Sequence, residues 1–131
     1  MKGRRFVMSK YFSDAETVCE CGCGFNDPSP LLMDMLDALR EKVGGPLQLT
    51  CVCRCQEHND SIKGSVPNSQ HVRGKAADVA VPDGMTVDEL AELAIEIGFD
   101  GIGRYYDQDF VHCDVRDDAQ SPNAYTWTDH D

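Results

Sequence analysis

Apolar residues recur at helical spacing through Leu31, Leu32, Met35, Leu36, Leu39 and Val43, which predicts a helix with one buried face. Ser29 can cap it, Pro30 suits its first turn and Gly44-Gly45 ends it. The period then changes to two. In "PLQLTCVCRC" the side chains of Leu49, Cys51, Cys53 and Cys55 fall on one face of a predicted strand, and Thr50, Val52 and Arg54 on the other. A short helix over 55–63 and the loop "GSVPNSQHVRG" lead to a second strand over 75–81. A helix over 86–97 follows, with Thr86 as cap, Glu89 completing a capping box and Gly98 as its stop. "DGIGRYY" and "FVHCDVR", joined by "DQD", read as an antiparallel hairpin. From Asp117 onward the chain is polar and reads mostly as loop, with Tyr125 and Trp127 as docking points. These elements predict an α+β fold, a small antiparallel sheet flanked by helices. One domain is expected over 1–131, its core at about 10–116 and a tail at 117–131.

Composition narrows the function classes. Acidic side chains number 23 against 12 basic ones, a formal net charge of -11; that field repels phosphate backbones and argues against nucleic acid as a partner. No apolar run approaches the roughly 18 residues a membrane span needs, so no membrane insertion is expected. The basic start "MKGRR" is followed by no apolar stretch of the secretory kind, so no signal peptide and synthesis in the cytoplasm are expected. Seven cysteines leave at least one thiol outside any internal disulfide scheme. In a reducing compartment clustered thiols bind metal or stay free more often than they pair.

The residues with chemistry sit near the second and last predicted strands. In "NSQHVRGKAADVAVP" His71 precedes Asp78 by seven positions, and Asp78 shares its strand face with Ala76 and Ala80. In "FVHCDVR" the alternation places Phe110, His112 and Asp114 on one face. If the two strands are neighbours, His71, Asp78 and His112 converge as two imidazoles and a carboxylate. That is a Zn2+ donor set with a fourth position left to water, and the alanines beside Asp78 leave room for it. Taken singly, each histidine reads equally as a hydrogen-bonded structural residue. Cys113, of opposite parity to His112, reads as core. His58 and Asn59 read as pins for the loop.

"SQHVRGKAAD" has the form S-x-H-x-x-G-x-A-x-D, and "FVHCDVR" adds H-x-D-x-R. With "YFSDAETVCECGCGF", the first helix, "TCVCRCQEHN" and "GIGRYY" in the same order, the chain resembles the zinc D,D-carboxypeptidases and endopeptidases of peptidase family M15, over about residues 10 to 116. The resemblance is to the M15A-like branch, whose zinc-centred fold is shared with hedgehog domains. It implies a peptidoglycan peptide as substrate and Zn2+ on His71, Asp78 and His112. It also implies that Arg54 engages a substrate carboxylate or the polarised carbonyl. The general base falls to Asp109, three residues before the last zinc histidine, with Asp114 as competitor for that role or as a partner that orients a ligand imidazole. Thiol pairs near both "CGC" and "CRC" occur in phage-type members. Cys21, Cys23, Cys53 and Cys55 are accordingly expected to meet as a second, structural zinc site or as disulfides.

The expected function is zinc-assisted hydrolysis of stem peptides or cross-links in bacterial cell wall by a monomer, acting at the wall or periplasm in the manner of a phage lysis enzyme. The alternative is a catalytically inactive binding or structural module that keeps the zinc fold.

Overall fold

The computed structural model describes residues 9–62, 69–116 and 125–128. In chain order they form α1 (Asp14–Thr17), α2 (Pro30–Val43), β1 (Gln48–Cys51), α3 (Gln56–Ser61), β2 (Ala76–Ala80), α4 (Val87–Ile97), β3 (Gly101–Tyr105), β4 (Phe110–Asp114) and β5 (Tyr125–Thr128). The two long helices form where their punctuation predicts. Ser29 accepts the Leu32 N–H, Pro30 opens α2, and Gly44 closes it in the left-handed region. Thr86 accepts the Glu89 N–H while the Glu89 carboxylate accepts the Thr86 N–H, and Gly98 ends α4.

The strands lie in the order β1-β2-β4-β3-β5. The first four pair antiparallel, whereas β5 runs parallel to β3. The sheet is therefore mixed, and the tail beyond 117, expected to be mostly loop, supplies its last strand. On one face Leu49, Val79, Val111, Ala77, Cys113 and Ile102 join α2 residues Leu32, Leu36 and Leu39 and α4 residues Leu90, Ala91 and Ala94 in a single buried cluster. α4 packs on β3 and β4, and α2 on α4. Each leucine buried there stabilises the fold by roughly 1.5–3 kcal/mol. With the helices covering that face, the other is left for a site.

The first strand is shorter than its alternation suggested. Its register with β2 shifts between Leu49 and Cys51, and it stops at Cys51. Beyond that point the backbone donors leave the sheet: the Cys53 N–H bonds to the Thr17 carbonyl (3.0 Å) and the Arg54 N–H to that of His71 (3.1 Å). The parity expected for Cys53, Arg54 and Cys55 is lost with the ladder. Arg54 and Cys51, assigned to opposite faces, are in contact instead.

Candidate metal centre

One row of residues crosses all five strands on the open face. Cys51 pairs with Asp78, Asp78 with His112, His112 with Gly103 and Gly103 with Trp127. Directly paired residues point to the same side, so the register alone gathers these side chains. His71 reaches the row from the turn before β2. That turn is locked by Gly74, whose φ of 71° lets its carbonyl take the Ser29 N–H at 2.7 Å. A Cβ at Gly74 would lie 2.2 Å from the Asp27 carbonyl oxygen.

Asp78 is the hub. Its Oδ1 is 3.3 Å from His71 Nε2 and 3.3 Å from His112 Nδ1. The other nitrogen of each ring is taken. His71 Nδ1 is 2.9 Å from the Val52 carbonyl, which can only accept, so that nitrogen carries a hydrogen and Nε2 is the one that offers a lone pair when the ring is neutral. His112 Nε2 is 2.7 Å from Asp114 Oδ2, which leaves Nδ1 to face Asp78. Two imidazole nitrogens and a carboxylate thus face one another with ring orientation fixed from behind, a set of residues that could hold a metal. Among the described residues here, Cys51, His71 and Asp78 have ligand atoms that all lie within 4.8 Å of one another. Cys51 Sγ, however, lies beside His71 Nδ1 at 3.6 Å, on the hydrogen-bearing side of the ring. His112 Nδ1, 3.3 Å from the same Asp78 oxygen, is a further nitrogen that could take part in holding a cation there.

Burial of both groups opposes their charged forms. Hydrogen bonds from His112 and His71 more than offset this for Asp78, holding it well below the usual carboxylate range, and those with Asp78 and Cys51 raise His71 to about 10. Without a cation the triad is an internal ion pair, and a metal entering it must displace the His71 proton.

Around the triad is a cleft of about 420 Å³, lined on its sides by Arg54, Gln70, Tyr105, Phe110, Arg116 and Trp127. Arg54 donates from Nη1 to Asn59 Oδ1 (2.9 Å) and from Nη2 to Cys51 Sγ (3.3 Å). Its buried Nε and the buried Oε1 of Gln70 have no partner among the described residues. Asn59, fully buried, aims this arginine through its side-chain oxygen; the loop it was expected to pin lies largely outside the described residues. Asp114 is fully buried and receives His112 Nε2 and the Arg116 fork, with Arg116 Nη2 at 2.6 Å. Burial pushes its pKa up, yet the bonds from His112 and Arg116 bring it down to about 2. Asp109 lies on the exposed turn before β4, the only non-glycine residue with positive φ (60°) among the described ones.

Several contributors were not legible as such. Trp127 stands 5.0 Å from the His112 ring, centroid to centroid, and Arg116 stacks on it. Gly101 and Gly103 make room: a Cβ on the first would meet the Asp114 carboxylate at 2.5 Å, and on the second the Trp127 ring at 2.6 Å. The small Ala76, paired with Asp114, gives the same carboxylate space on its other side. A glycine in a strand signals close approach; two of them, at alternate positions, were the available clue.

The cysteines divide differently from expectation. Cys19, Cys21, Cys23 and Cys55 come together, whereas Cys53 is buried elsewhere, its Sγ 3.8 Å from Asn26 Oδ1. Cys53 belongs with Thr17 and the core because β1 ends before it. Cys113 is buried on the helix-facing side.

Among the described residues no helix is long and apolar enough to cross a membrane. A search of curated proteins gives no match. The sequence profile of the family described as Peptidase M15 covers residues 10–114. That span holds the whole triad with Arg54 and Asp114, and the chain belongs to the peptidase M15 family.

Proposed function

We propose that this peptidase uses one Zn2+, held by His71 Nε2, an Asp78 oxygen and His112 Nδ1, to hydrolyse peptide bonds in bacterial peptidoglycan stem peptides or cross-links, in the manner of a D,D-carboxypeptidase or endopeptidase. The observation that carries this reading is the convergence of those three donors on the floor of a cleft whose wall holds Arg54. Bound there, Zn2+ supplies Lewis acidity, polarising the scissile carbonyl and making water acidic enough to attack near neutral pH. The chain's own groups do the rest. Arg54, aimed by Asn59 and with Nε unspent, holds the substrate's terminal carboxylate or steadies the developing oxyanion. Asp114 fixes His112 in the tautomer that offers Nδ1. With both of its oxygens engaged, it is the orienting partner and leaves proton transfer to Asp109. Asp109 precedes the cleft residue Phe110 in the chain and does not itself line the cleft; its left-handed backbone is the kind of local strain found at working sites. It takes a proton from the attacking water and returns it to the leaving amine, so that one water is consumed for each bond cut.

The test is product analysis by mass spectrometry on defined muropeptides and a D-Ala-terminated peptide, with and without a chelator. Cleavage should stop on chelation and return with zinc. Asp109→Asn should keep zinc and fold while kcat falls roughly 10²–10⁴-fold. A zinc-loaded wild type that binds muropeptide and cleaves none would make the protein a non-catalytic binding module. A fully active Asp109→Ala would remove the base from that residue.

A further inference from the structure

We propose that the chain carries a second metal site, away from the cleft, in which Cys19, Cys21, Cys23 and Cys55 bind one Zn2+ as a tetrathiolate. Nothing in the peptidase chemistry uses these residues. Their sulfurs nevertheless lie within 4.8 Å of one another, though Cys55 is far along the chain from the other three. Cys19 and Cys21 sulfurs are 3.4 Å apart, and those of Cys21 and Cys55 3.6 Å. Four sulfurs about 2.3 Å from a central zinc stand about 3.8 Å from each other at tetrahedral angles, whereas a disulfide needs about 2.05 Å. The cluster has the dimensions of the metal site.

The backbone is arranged for thiolates. The Cys55 N–H points to Cys19 Sγ (3.4 Å), the Phe25 N–H to Cys23 Sγ (3.4 Å) and the His58 N–H to Cys55 Sγ (3.3 Å). Three of four sulfurs therefore accept a main-chain hydrogen bond, which stabilises sulfur bearing negative charge. Gly22 and Gly24 have φ of 87° and 88°, and a Cβ on either would meet nothing within 4 Å. They serve the path of the backbone, folding "CECGC" so that three thiols face one point. All-sulfur donors select soft or borderline ions, and a closed set of four is the structural type of zinc site. Binding releases the thiol protons to solvent.

The ion would join the 19–25 loop to Cys55, the N-cap of α3, and so to both Arg54 and its partner Asn59. It is a staple for the cleft wall.

Zinc is counted by elemental analysis on the full chain purified under reducing conditions. Wild type should hold two ions and His71→Ala with His112→Ala one, and Cys53→Ser should still hold two. Cys21→Ser with Cys55→Ser should hold one. Because that variant can fail to fold, the decisive measurement uses His71→Ala with His112→Ala and all cysteines intact, which breaks up both possible donor sets of the cleft. Cobalt put into its remaining site should give thiolate-to-cobalt charge-transfer absorption. Folded His71→Ala with His112→Ala holding no zinc and fully reduced thiols, a cobalt form without that absorption, iron in place of zinc, or a disulfide within the four would each overturn the proposal. A single wild-type zinc that survives in His71→Ala with His112→Ala would uphold the tetrathiolate site and refute the zinc reading of the cleft.

Discussion

Asp114 keeps its charge where water does not reach. Its side chain is fully buried, and His112, the Arg116 fork and the Arg116 backbone N–H justify ionisation there. Its pKa of about 2 in the fold, against 3.8 when free, means the native state binds its proton less readily than the unfolded chain. The stability this gives is present above about pH 4 and is lost as pH falls from there towards 2. It is worth about 2 kcal/mol. Asp114→Asn should be less stable than wild type at pH 7, and urea midpoints of the two metal-free proteins should draw together below pH 4. An unchanging gap between pH 4 and 2 would show that the buried group is not an ion. The same substitution should weaken zinc at the triad about 10–100-fold, by competition titration, because His112 loses the partner that sets its tautomer. Much of this was legible: strand parity put His112 and Asp114 on one face, and spacing put His71 and Asp78 within reach. Which nitrogen of each ring is free was not legible, because Val52, the partner that decides it for His71, lies in a segment whose pattern gave no such contact.

Elements were readable where their signals are local. Caps and apolar periodicity fixed α2 and α4 to within a residue, since Ser29, Thr86, Gly44 and Gly98 act on their own neighbours. β1 was over-read because a register shift at Cys51 is a property of the pair β1–β2, not of the Cys-x-Cys alternation. β5 was missed for a like reason. Tyr125, Thr126, Trp127 and Thr128 all suit a strand, but a parallel partner earlier in the chain leaves no mark in a polar tail. What admits β5 is Gly103, over which the Trp127 indole lies, with Nε1 donating to the Tyr105 hydroxyl at 3.1 Å. Gly103→Ala should push that ring off the sheet and open the cleft wall. Trp127 is the chain's single tryptophan, so intrinsic fluorescence reads the event directly. Emission should shift to the red and acrylamide quenching should increase, with peptidase turnover falling alongside. An unchanged spectrum would mean that the alanine methyl is accommodated and that the glycine is not what seats β5.

The whole molecule sets one sign of charge against another. Its net charge is -11, yet the cleft is lined by Arg54, whose guanidinium bonds the Asn59 amide and the Cys51 sulfur and not a carboxylate. A substrate carboxylate that has entered the cleft meets Arg54 at short range, where salt screens little, while an anionic wall polymer meets the summed field first. The two kinds of substrate should therefore respond to salt in opposite ways. Raising ionic strength from 0.01 to 0.15 M shortens the screening length from about 30 to about 8 Å, which weakens repulsion from the wall and leaves the Arg54 contact largely intact. Release of peptide from intact cell walls should speed up over this range, whereas kcat/KM on a small D-Ala-terminated peptide should stay level or fall slightly. Parallel assays on the two substrates at matched enzyme concentration decide it. If wall digestion slows in step with the small peptide, long-range repulsion does not limit access, and the acidic surface has some other consequence for the protein.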